Sequence, residues 1–171
     1  GRRLSWLELR EASGERRWEL VVPFEVTAMV VDDRPTVAQP AIILGGREGQ
    51  VLAYDMEGAP LWSHTFRDLA GGVRHLVLND PPGEAPDRLL VAGLHSIYTL
   101  TYTGADVSAG NFARLDQPIA ALYSMRQPND RIPAIGVVAF LEDGSVHGLS
   151  GRGLETAQRS WPVREQAILG G

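Results

Sequence analysis

The stretch Gln50-Val51-Leu52-Ala53-Tyr54-Asp55, followed by Gly58 and Trp62, decides the fold because its pattern returns along the chain. The pattern is a short apolar strand, a turn with a glycine, and then an aromatic residue. Weaker copies carry their glycine and aromatic residue at Gly14 and Trp18, Gly104 and Phe112, and Gly153 and Trp161. Successive glycines are 44, 46 and 49 residues apart, close to the roughly 40–50 residues of one four-stranded propeller blade. We therefore expect an all-β fold: a β-propeller, or a propeller arc, of about three and a half to four four-stranded blades.

Most of the chain divides into sets of four short candidate strands. These strands are rich in β-branched and aromatic residues, and Gly, Pro and Asp separate them, as strand and turn chemistry requires. The three predicted sets are residues 26–31, 41–44, 50–54 and 61–65; residues 73–78, 88–92, 97–102 and 111–115; and residues 119–125, 134–140, 145–149 and 157–161. The loop between the first and second strands of each set is polar and rich in proline.

The two ends are out of phase with these sets. Residues 4–9 and 16–21 match the third and fourth strands of a blade, and residues 166–169 match the start of an inner strand. We expect a single domain over residues 1–171, with blade portions of approximately 1–22, 23–66, 67–116, 117–163 and 164–171. The chain is then either four blades with a shared last blade, or an arc of a larger ring. An arc leaves strand edges open, which favours self-association or pairing with the remaining blades of a larger propeller.

Composition excludes several classes of protein. The chain has 171 residues, of which 44% are hydrophobic and 22% charged, with a net charge of −5. These values predict a protein with a real core and no basic field for nucleic acid. It has no apolar run of 18 residues and no signal-peptide pattern, so we expect a soluble chain without membrane insertion, in a compartment that the sequence leaves unknown. It contains no Cys, and all 16 basic residues are Arg, which excludes thiol, Schiff-base and P-loop lysine chemistry within this chain.

Residues 41–62, Ala-Ile-Ile-Leu-Gly-Gly-Arg-Glu-Gly-Gln-Val-Leu-Ala-Tyr-Asp-Met-Glu-Gly-Ala-Pro-Leu-Trp, resemble the PQQ-like (quinoprotein-type) propeller repeat. The Val-rich inner strand before them and the Ala-Ile-Ile-Leu-Gly strand also resemble FG-GAP repeats of the integrin α-subunit type. One blade matches well and two match loosely. The resemblance implies a propeller, and it is weak for function because many members of these families bind no quinone and catalyse nothing.

The chain departs from both families where their chemistry resides. Quinoprotein dehydrogenases carry vicinal cysteines at the cofactor, and this chain has none. Calcium-binding FG-GAP blades carry an Asp-x-Asp-x-Asp-Gly-type loop. The corresponding loops here are Asp32-Asp33-Arg34-Pro35, Asn79-Asp80-Pro81-Pro82 and Asn129-Asp130-Arg131, with Pro and Arg where ligands are needed. We therefore expect no cofactor and no bound metal, and we interpret these Asp and Asn residues as turn caps.

No catalytic constellation is evident. His64, His75, His95 and His147 lack the spacing of metal ligands, and the serines lack a nucleophile elbow. His75 is the exception, because it lies in an inner strand, where its side chain can point to the central channel. Whether it then lies near His147 depends on how the strands fold. We expect that the chain is not an enzyme.

Function is expected on the loops. In a propeller, the loops from fourth to first strands and from second to third strands share one face, and loops are where binding concentrates. That face would present a mixed polar set with one aromatic residue, which suits a protein partner: Arg47, Glu48, Phe66, Arg67, Asp68, His95, Asp116, Glu142 and Asp143. We expect a non-enzymatic binding or assembly module. The alternatives are a fragment of a quinoprotein-like or other propeller enzyme that needs further blades, and a calcium-stabilised FG-GAP-type adhesion module.

The pattern also predicts the core. Trp18, Trp62 and Trp161 end the outer strands, where each is expected to fill the gap between neighbouring blades. We expect four apolar strand residues to be buried: Val51, Ala53, Ile97 and Val146.

Overall fold

The computed structural model describes residues 4–34, 39–69, 71–79, 88–124, 135–150 and 159–161. Within these ranges the chain forms fourteen β-strands and no helix. A membrane-spanning helix is accordingly not found among these residues. The expected all-β fold class is confirmed.

The strands form four antiparallel sheets, each built from consecutive strands of the chain. Sheet 1 contains β1 (Ser5–Arg10) and β2 (Arg16–Val22). Sheet 2 contains β3 (Val26–Asp32), β4 (Ala41–Gly46), β5 (Gln50–Asp55) and β6 (Pro60–Thr65). Sheet 3 contains β7 (His75–Asn79), β8 (Arg88–Ala92), β9 (Ser96–Thr103) and β10 (Asp106–Arg114). Sheet 4 contains β11 (Ile119–Ser124), β12 (Ile135–Leu141), β13 (Val146–Ser150) and β14 (Arg159–Trp161).

Each of these strands overlaps a strand predicted from the sequence, in the predicted order. The strand expected at 111–115 is longer, because β10 begins at Asp106, which pairs with Thr103 across a tight hairpin. The strand expected from Val73 begins two residues later, since the N–H of Val73 donates to the Gly46 carbonyl of sheet 2 at 2.9 Å. The inner strand expected at 166–169, like all of portion 164–171, lies outside the described residues.

The repeated glycine occupies the same turn in three sheets. Gly14, Gly58 and Gly104 lie between the third and fourth strand positions, with φ of 87°, 85° and 60°. These positive φ values are in the left-handed region, which glycine enters without steric cost. At Gly58 a Cβ atom would in addition lie 3.3 Å from the Trp18 ring. The glycine of the repeat is therefore explained by the hairpin; Gly153 lies outside the described residues.

The sheets stack face to face through three apolar clusters. One cluster joins sheets 1 and 2 around Leu44, a second joins sheets 2 and 3 around Ile43, and a third joins sheets 3 and 4 around Leu90. The first strands β3, β7 and β11 lie side by side, and the fourth strands β6 and β10 also touch. Sheets 2 and 3 therefore each bury one face on the preceding sheet and the opposite face on the following sheet.

The outer-strand aromatic residues lie at these junctions, as predicted for Trp18 and Trp62. Trp62 is buried with its ring centroid 4.8 Å from that of Tyr102 in sheet 3. Half-buried Trp18 packs on sheet 2, where its Nε1–H donates to the Met56 carbonyl at 2.8 Å. Phe112 of β10 is buried against sheet 4. Trp161 falls in β14, and its side chain lies outside the described portion of the structure.

Three of the four predicted core residues are fully buried: Val51, Ala53 and Ile97. Val146 is only half-buried, so this prediction was wrong. Its side chain lies on the face of sheet 4 that points away from sheet 3, and none of the described residues forms a sheet beyond it.

Candidate functional site

Backbone hydrogen bonds join the predicted loops into one surface at one end of the sheets, called the loop face below. In sheet 2, the N–H of Arg47 donates to the Glu25 carbonyl at 3.1 Å, and the N–H of Phe66 donates to the Gly49 carbonyl at 3.0 Å. Later along the chain, the N–H of Leu115 donates to the His95 carbonyl at 2.8 Å. Each bond links a second-to-third loop with a fourth-to-first loop. The two kinds of loop thus lie together, as the repeat phase predicts.

Most of the predicted binding residues are exposed on the loop face: Arg47, Glu48, Arg67, Asp68, Asp116, Glu142 and Asp143. His95 is half-buried. Asp143 caps its own turn, where its carboxylate accepts from the Ser145 hydroxyl at 2.7 Å and the Ser145 N–H at 2.9 Å. These hydrogen bonds lower the pKa of the Asp143 carboxyl.

The expectation that Phe66 is presented on this face was wrong. Phe66 is only 6% exposed and belongs to the cluster between sheets 2 and 3. Its ring lies 4.8 Å from that of Tyr98 and 4.5 Å from that of His64, measured between centroids. The loop turns this ring inward because burial of a large apolar side chain is strongly favourable, so the loop face is polar.

A cleft with a volume of about 590 Å³ opens in the loop face. It lies where the first strands begin, with Thr27 from β3, His75 from β7 and Ala120 from β11 on its walls. The remaining lining residues described are Arg47, Gly71, Val73, Arg74, Ile119 and Glu142. Three consecutive sheets therefore contribute to one concave site.

Two ion pairs flank the cleft. Nη1 of Arg47 lies 3.0 Å from a carboxylate oxygen of Glu25, and Nη1 of Arg74 lies 3.4 Å from a carboxylate oxygen of Glu142. The second pair connects sheet 3 to the turn between β12 and β13 of sheet 4. Both of its side chains are substantially exposed, at 39% and 50%. Exposed pairs contribute only about 0–1 kcal/mol, so a ligand group can replace either partner at little cost.

His75 lines the cleft. Its Nε2 lies 3.3 Å from the Ile119 carbonyl oxygen in sheet 4. Burial lowers its pKa, the nearby Arg74 charge lowers it further, and the hydrogen bond to Ile119 opposes both. A neutral imidazole that donates from Nε2 joins the two sheets.

The structure does not bring His75 and His147 together. His75 interacts with Ile119, whereas Nε2 of His147 lies 3.5 Å from the Ser145 hydroxyl. Nδ1 of His147 is buried without a hydrogen-bond partner among the described atoms. The described ranges also contain no group of three His, Cys, Asp or Glu side chains placed to hold a metal ion.

The first of the loops that correspond to the calcium loops of FG-GAP blades makes contacts within the protein. Asp32 is fully buried at the end of β3, where its two oxygens accept from Nε and Nη2 of Arg34 at 2.8 and 2.9 Å. The Tyr102 hydroxyl of sheet 3 donates to the same carboxylate. Burial raises the pKa of Asp32, but these hydrogen bonds and the Arg34 charge outweigh it and leave the pKa below its ordinary value. Asp32 therefore joins two sheets, in addition to capping the turn through the Arg34 N–H.

Asn79 has the corresponding role in the next sheet. It is buried at the end of β7, and its Oδ1 accepts from the Ser124 hydroxyl of sheet 4 at 2.9 Å. Sequence analysis interpreted Asp32 and Asn79 as turn caps and missed their contacts with Tyr102 and Ser124 of the neighbouring sheets. The rest of the second loop and all of Asn129-Asp130-Arg131 lie outside the described residues.

A scan against protein-family models finds no matching family, and a search of curated proteins finds no match. The likeness of residues 41–62 to PQQ-like and FG-GAP repeats therefore stays a prediction.

Proposed function

We propose that this chain is a β-propeller, or an arc of one, that acts as a non-enzymatic binding module for a protein partner at the cleft of its loop face. The observation that carries the proposal is the construction of that cleft. Three successive sheets contribute to it, and backbone hydrogen bonds fix its loops, so the surface is organised before a partner arrives. A preorganised site binds without the entropic cost of ordering loops.

Three features support the propeller assignment. The four-stranded sheets follow one another in chain order, their first strands are neighbours, and their fourth-strand aromatics pack on the next sheet. A propeller has this arrangement around its central channel. In this assignment the cleft is the mouth of the channel.

The side chains of the cleft favour recognition over chemistry. Arg74 and Glu142 offer donors and acceptors that a polar segment of a partner can engage. Thr27 supplies a hydroxyl, but it donates to the Gly45 and Val73 carbonyls. A nucleophile needs a base within hydrogen-bond reach, and His75 interacts with a carbonyl oxygen instead. The calcium alternative has less support because Asp32 is held by Arg34 and Tyr102.

Charge reversal at Arg74 tests this function. Immobilised wild type and Arg74→Glu are used to capture proteins from an extract of the source cells, and each captured protein is quantified by mass spectrometry. Arg17→Glu is the matched control, because Arg17 is also an exposed arginine, 3.5 Å from Glu57, in sheet 1. We expect one identified protein that the wild type and the control retain and Arg74→Glu loses. In calorimetry, the purified partner should bind the wild type and Arg17→Glu with similar affinity and should bind Arg74→Glu more weakly.

Two results would contradict the proposal. One is equal retention of every captured protein by the three forms. The other is a purified partner whose affinity is insensitive to Arg74 but sensitive to Arg17, which would place recognition away from the loop face.

A further inference from the structure

The charges inside the cleft differ in sign from the charge of the whole chain. Arg47 and Arg74 line the cleft, and the only carboxylate among its described lining residues is that of Glu142. Burial lowers the pKa of His75, so its imidazole adds no charge at neutral pH. The cleft is therefore net positive in a chain whose net charge is −5. Because a cleft concentrates the field of the charges that line it, an anionic group is favoured there.

The backbone places Arg47 against the segment that leads to Arg74. A Cβ on Gly72 would lie 2.2 Å from the Arg47 carbonyl oxygen, so glycine at this position permits the approach. At Gly71, which also lines the cleft, a Cβ would have no neighbour within 4 Å. Backbone without side chains thus borders the cleft where the two arginine-bearing segments meet, and it leaves room for a ligand group.

Each of the two guanidinium groups keeps unused donors. Nη1 of Arg47 donates to the carboxylate oxygens of Glu25 at 3.0 and 3.3 Å, and Nη1 of Arg74 donates to Glu142 at 3.4 Å. Nε and Nη2 of both arginines donate to none of the atoms that the structure describes. The two glutamates therefore hold the side chains by one nitrogen and leave the Nε–Nη2 edge of each open.

The protein itself shows what this edge of an arginine binds. Nε and Nη2 of Arg34 donate to the two oxygens of the Asp32 carboxylate at 2.8 and 2.9 Å. Such a bidentate pair matches the planar guanidinium to the planar carboxylate, and it is stronger than a hydrogen bond between neutral groups. The open edges of Arg47 and Arg74 are suited to the same kind of contact with a carboxylate from outside the chain.

Acidic residues around the cleft limit what can approach it. Glu48, Asp116 and Asp143 are exposed on the loop face but do not line the cleft. Their charges repel a segment with several acidic residues in a row, and like charges brought together in this way are a source of specificity. A single carboxylate between uncharged or basic residues avoids the repulsion and still reaches the arginines.

We propose that the partner inserts one acidic side chain, Asp or Glu, into the cleft, where the Nε–Nη2 edges of Arg47 and Arg74 bind its carboxylate. The residues that flank it in the partner are uncharged or basic. This inference rests on the proposed function, because it names the chemical group that is recognised at the same cleft. Glu142 keeps Arg74 oriented through Nη1, so the bound carboxylate does not have to displace it.

Selection of peptides that bind the cleft tests this inference without knowledge of the partner. A random peptide library displayed on phage is selected on the immobilised wild type and depleted on Ala120→Trp. Ala120 is exposed on the wall of the cleft, so the indole ring fills the cleft without a change of charge. Circular dichroism checks that the variant folds. The remaining peptides bind at the cleft whatever their own charge.

We expect these peptides to share one Asp or Glu between uncharged or basic residues. In calorimetry, replacing that residue with Asn or Gln should weaken binding to the wild type about tenfold, since hydrogen bonds to a charged group are lost. Arg47→Gln and Arg74→Gln should each weaken binding of the acidic peptide but not of its amide version, and this coupling is not expected of a general structural defect. The control Arg17→Gln, in sheet 1, should bind both peptides as the wild type does.

Two results would overturn the inference. If peptides at the cleft carry no acidic residue, or carry one whose replacement has the same effect in the two arginine variants as in the wild type, a carboxylate is not what the cleft recognises, and the proposed function still stands. If no peptide distinguishes the wild type from Ala120→Trp, the inference also fails, and capture with Arg74→Glu then decides the proposed function separately.

Discussion

The buried carboxylate of Asp32 offers the sharpest test of how neighbouring sheets are held together. Tyr102→Phe removes the hydroxyl that donates to Asp32 and keeps the ring that stacks on Trp62 at 4.8 Å. Asp32 retains its three hydrogen bonds from Arg34, two from the side chain and one from the backbone N–H. The loss is therefore one hydrogen bond to a buried charge, which costs about 1.5–3 kcal/mol in the free energy of unfolding, together with a long contact of 3.5 Å from Nη2 of Arg34 to the same hydroxyl. For a domain of this size, the melting temperature should fall by roughly 3–12 °C.

Tyr98→Phe is the matched control. Tyr98 lies on the same strand and the same face, and its ring packs on Phe66 with centroids 4.8 Å apart, as that of Tyr102 does on Trp62. Its hydroxyl does not reach Asp32. We expect a much smaller change of melting temperature in this control, since packing is kept and no buried charge loses a donor.

The pH dependence separates the hydrogen bond from packing. Because the folded pKa of Asp32 is lowered, its contribution to stability is present above the unfolded pKa of about 3.9 and is lost as the pH falls through the folded pKa. Tyr102→Phe raises the folded pKa, so the stability gap to the wild type should narrow in acid. Thermal melts at neutral pH and near pH 3 measure the difference in melting temperature between the wild type and Tyr102→Phe. An unchanged melting temperature, or a difference from the wild type that stays constant with pH, would show that the Tyr102 hydroxyl does not stabilise the Asp32 carboxylate.

Three further predictions test contacts between sheets. Trp62→Ala should lower the free energy of unfolding by about 3–5 kcal/mol. The control Trp6→Ala should leave the chemical denaturation midpoint of the monomer unchanged, because that side chain is 72% exposed. Equal effects of the two substitutions would contradict the assigned packing. Ser124→Ala should cost about 1–3 kcal/mol by leaving Oδ1 of Asn79 buried without its donor, and a neutral result in denaturant melts would show that this bond is not formed. Burial lowers the folded pKa of His75, so wild-type stability should fall as the pH drops below about 6.5, and His75→Gln should lose this slope in melts across that range.

The strands could be predicted because their signals are local. The glycine at each hairpin tip has a positive φ that its position alone requires, as at Gly58. β3 and β5 are short apolar runs with β-branched or aromatic residues and turn residues beyond them, and both signals lie in adjacent residues. The aromatic residues of the outer strands recur four residues after the glycine at Gly14 and at Gly58. This repeat is why Trp18 and Trp62 were placed correctly.

The contacts between sheets could not be predicted in this way. Tyr102 lies 70 residues from Asp32, and Arg74 lies 68 residues from Glu142. No local pattern specifies which polar side chains such distant segments bring together. Phe66 was misplaced for a related reason, since a loop aromatic turns inward only where the next sheet provides a cavity. Val146 was misplaced because its burial depends on a neighbour beyond sheet 4.

Among the described residues, each sheet is made from strands that are consecutive in the chain, and its main contacts are with the sheets before and after it. Hairpins of this kind close over short loops, so little chain entropy is lost before each sheet can form. Stability then accumulates junction by junction, as in other arrays built from nearest-neighbour contacts. A substitution at one junction should therefore destabilise mainly the two sheets that share it. The end sheets can then change in sequence while the central sheets keep their geometry.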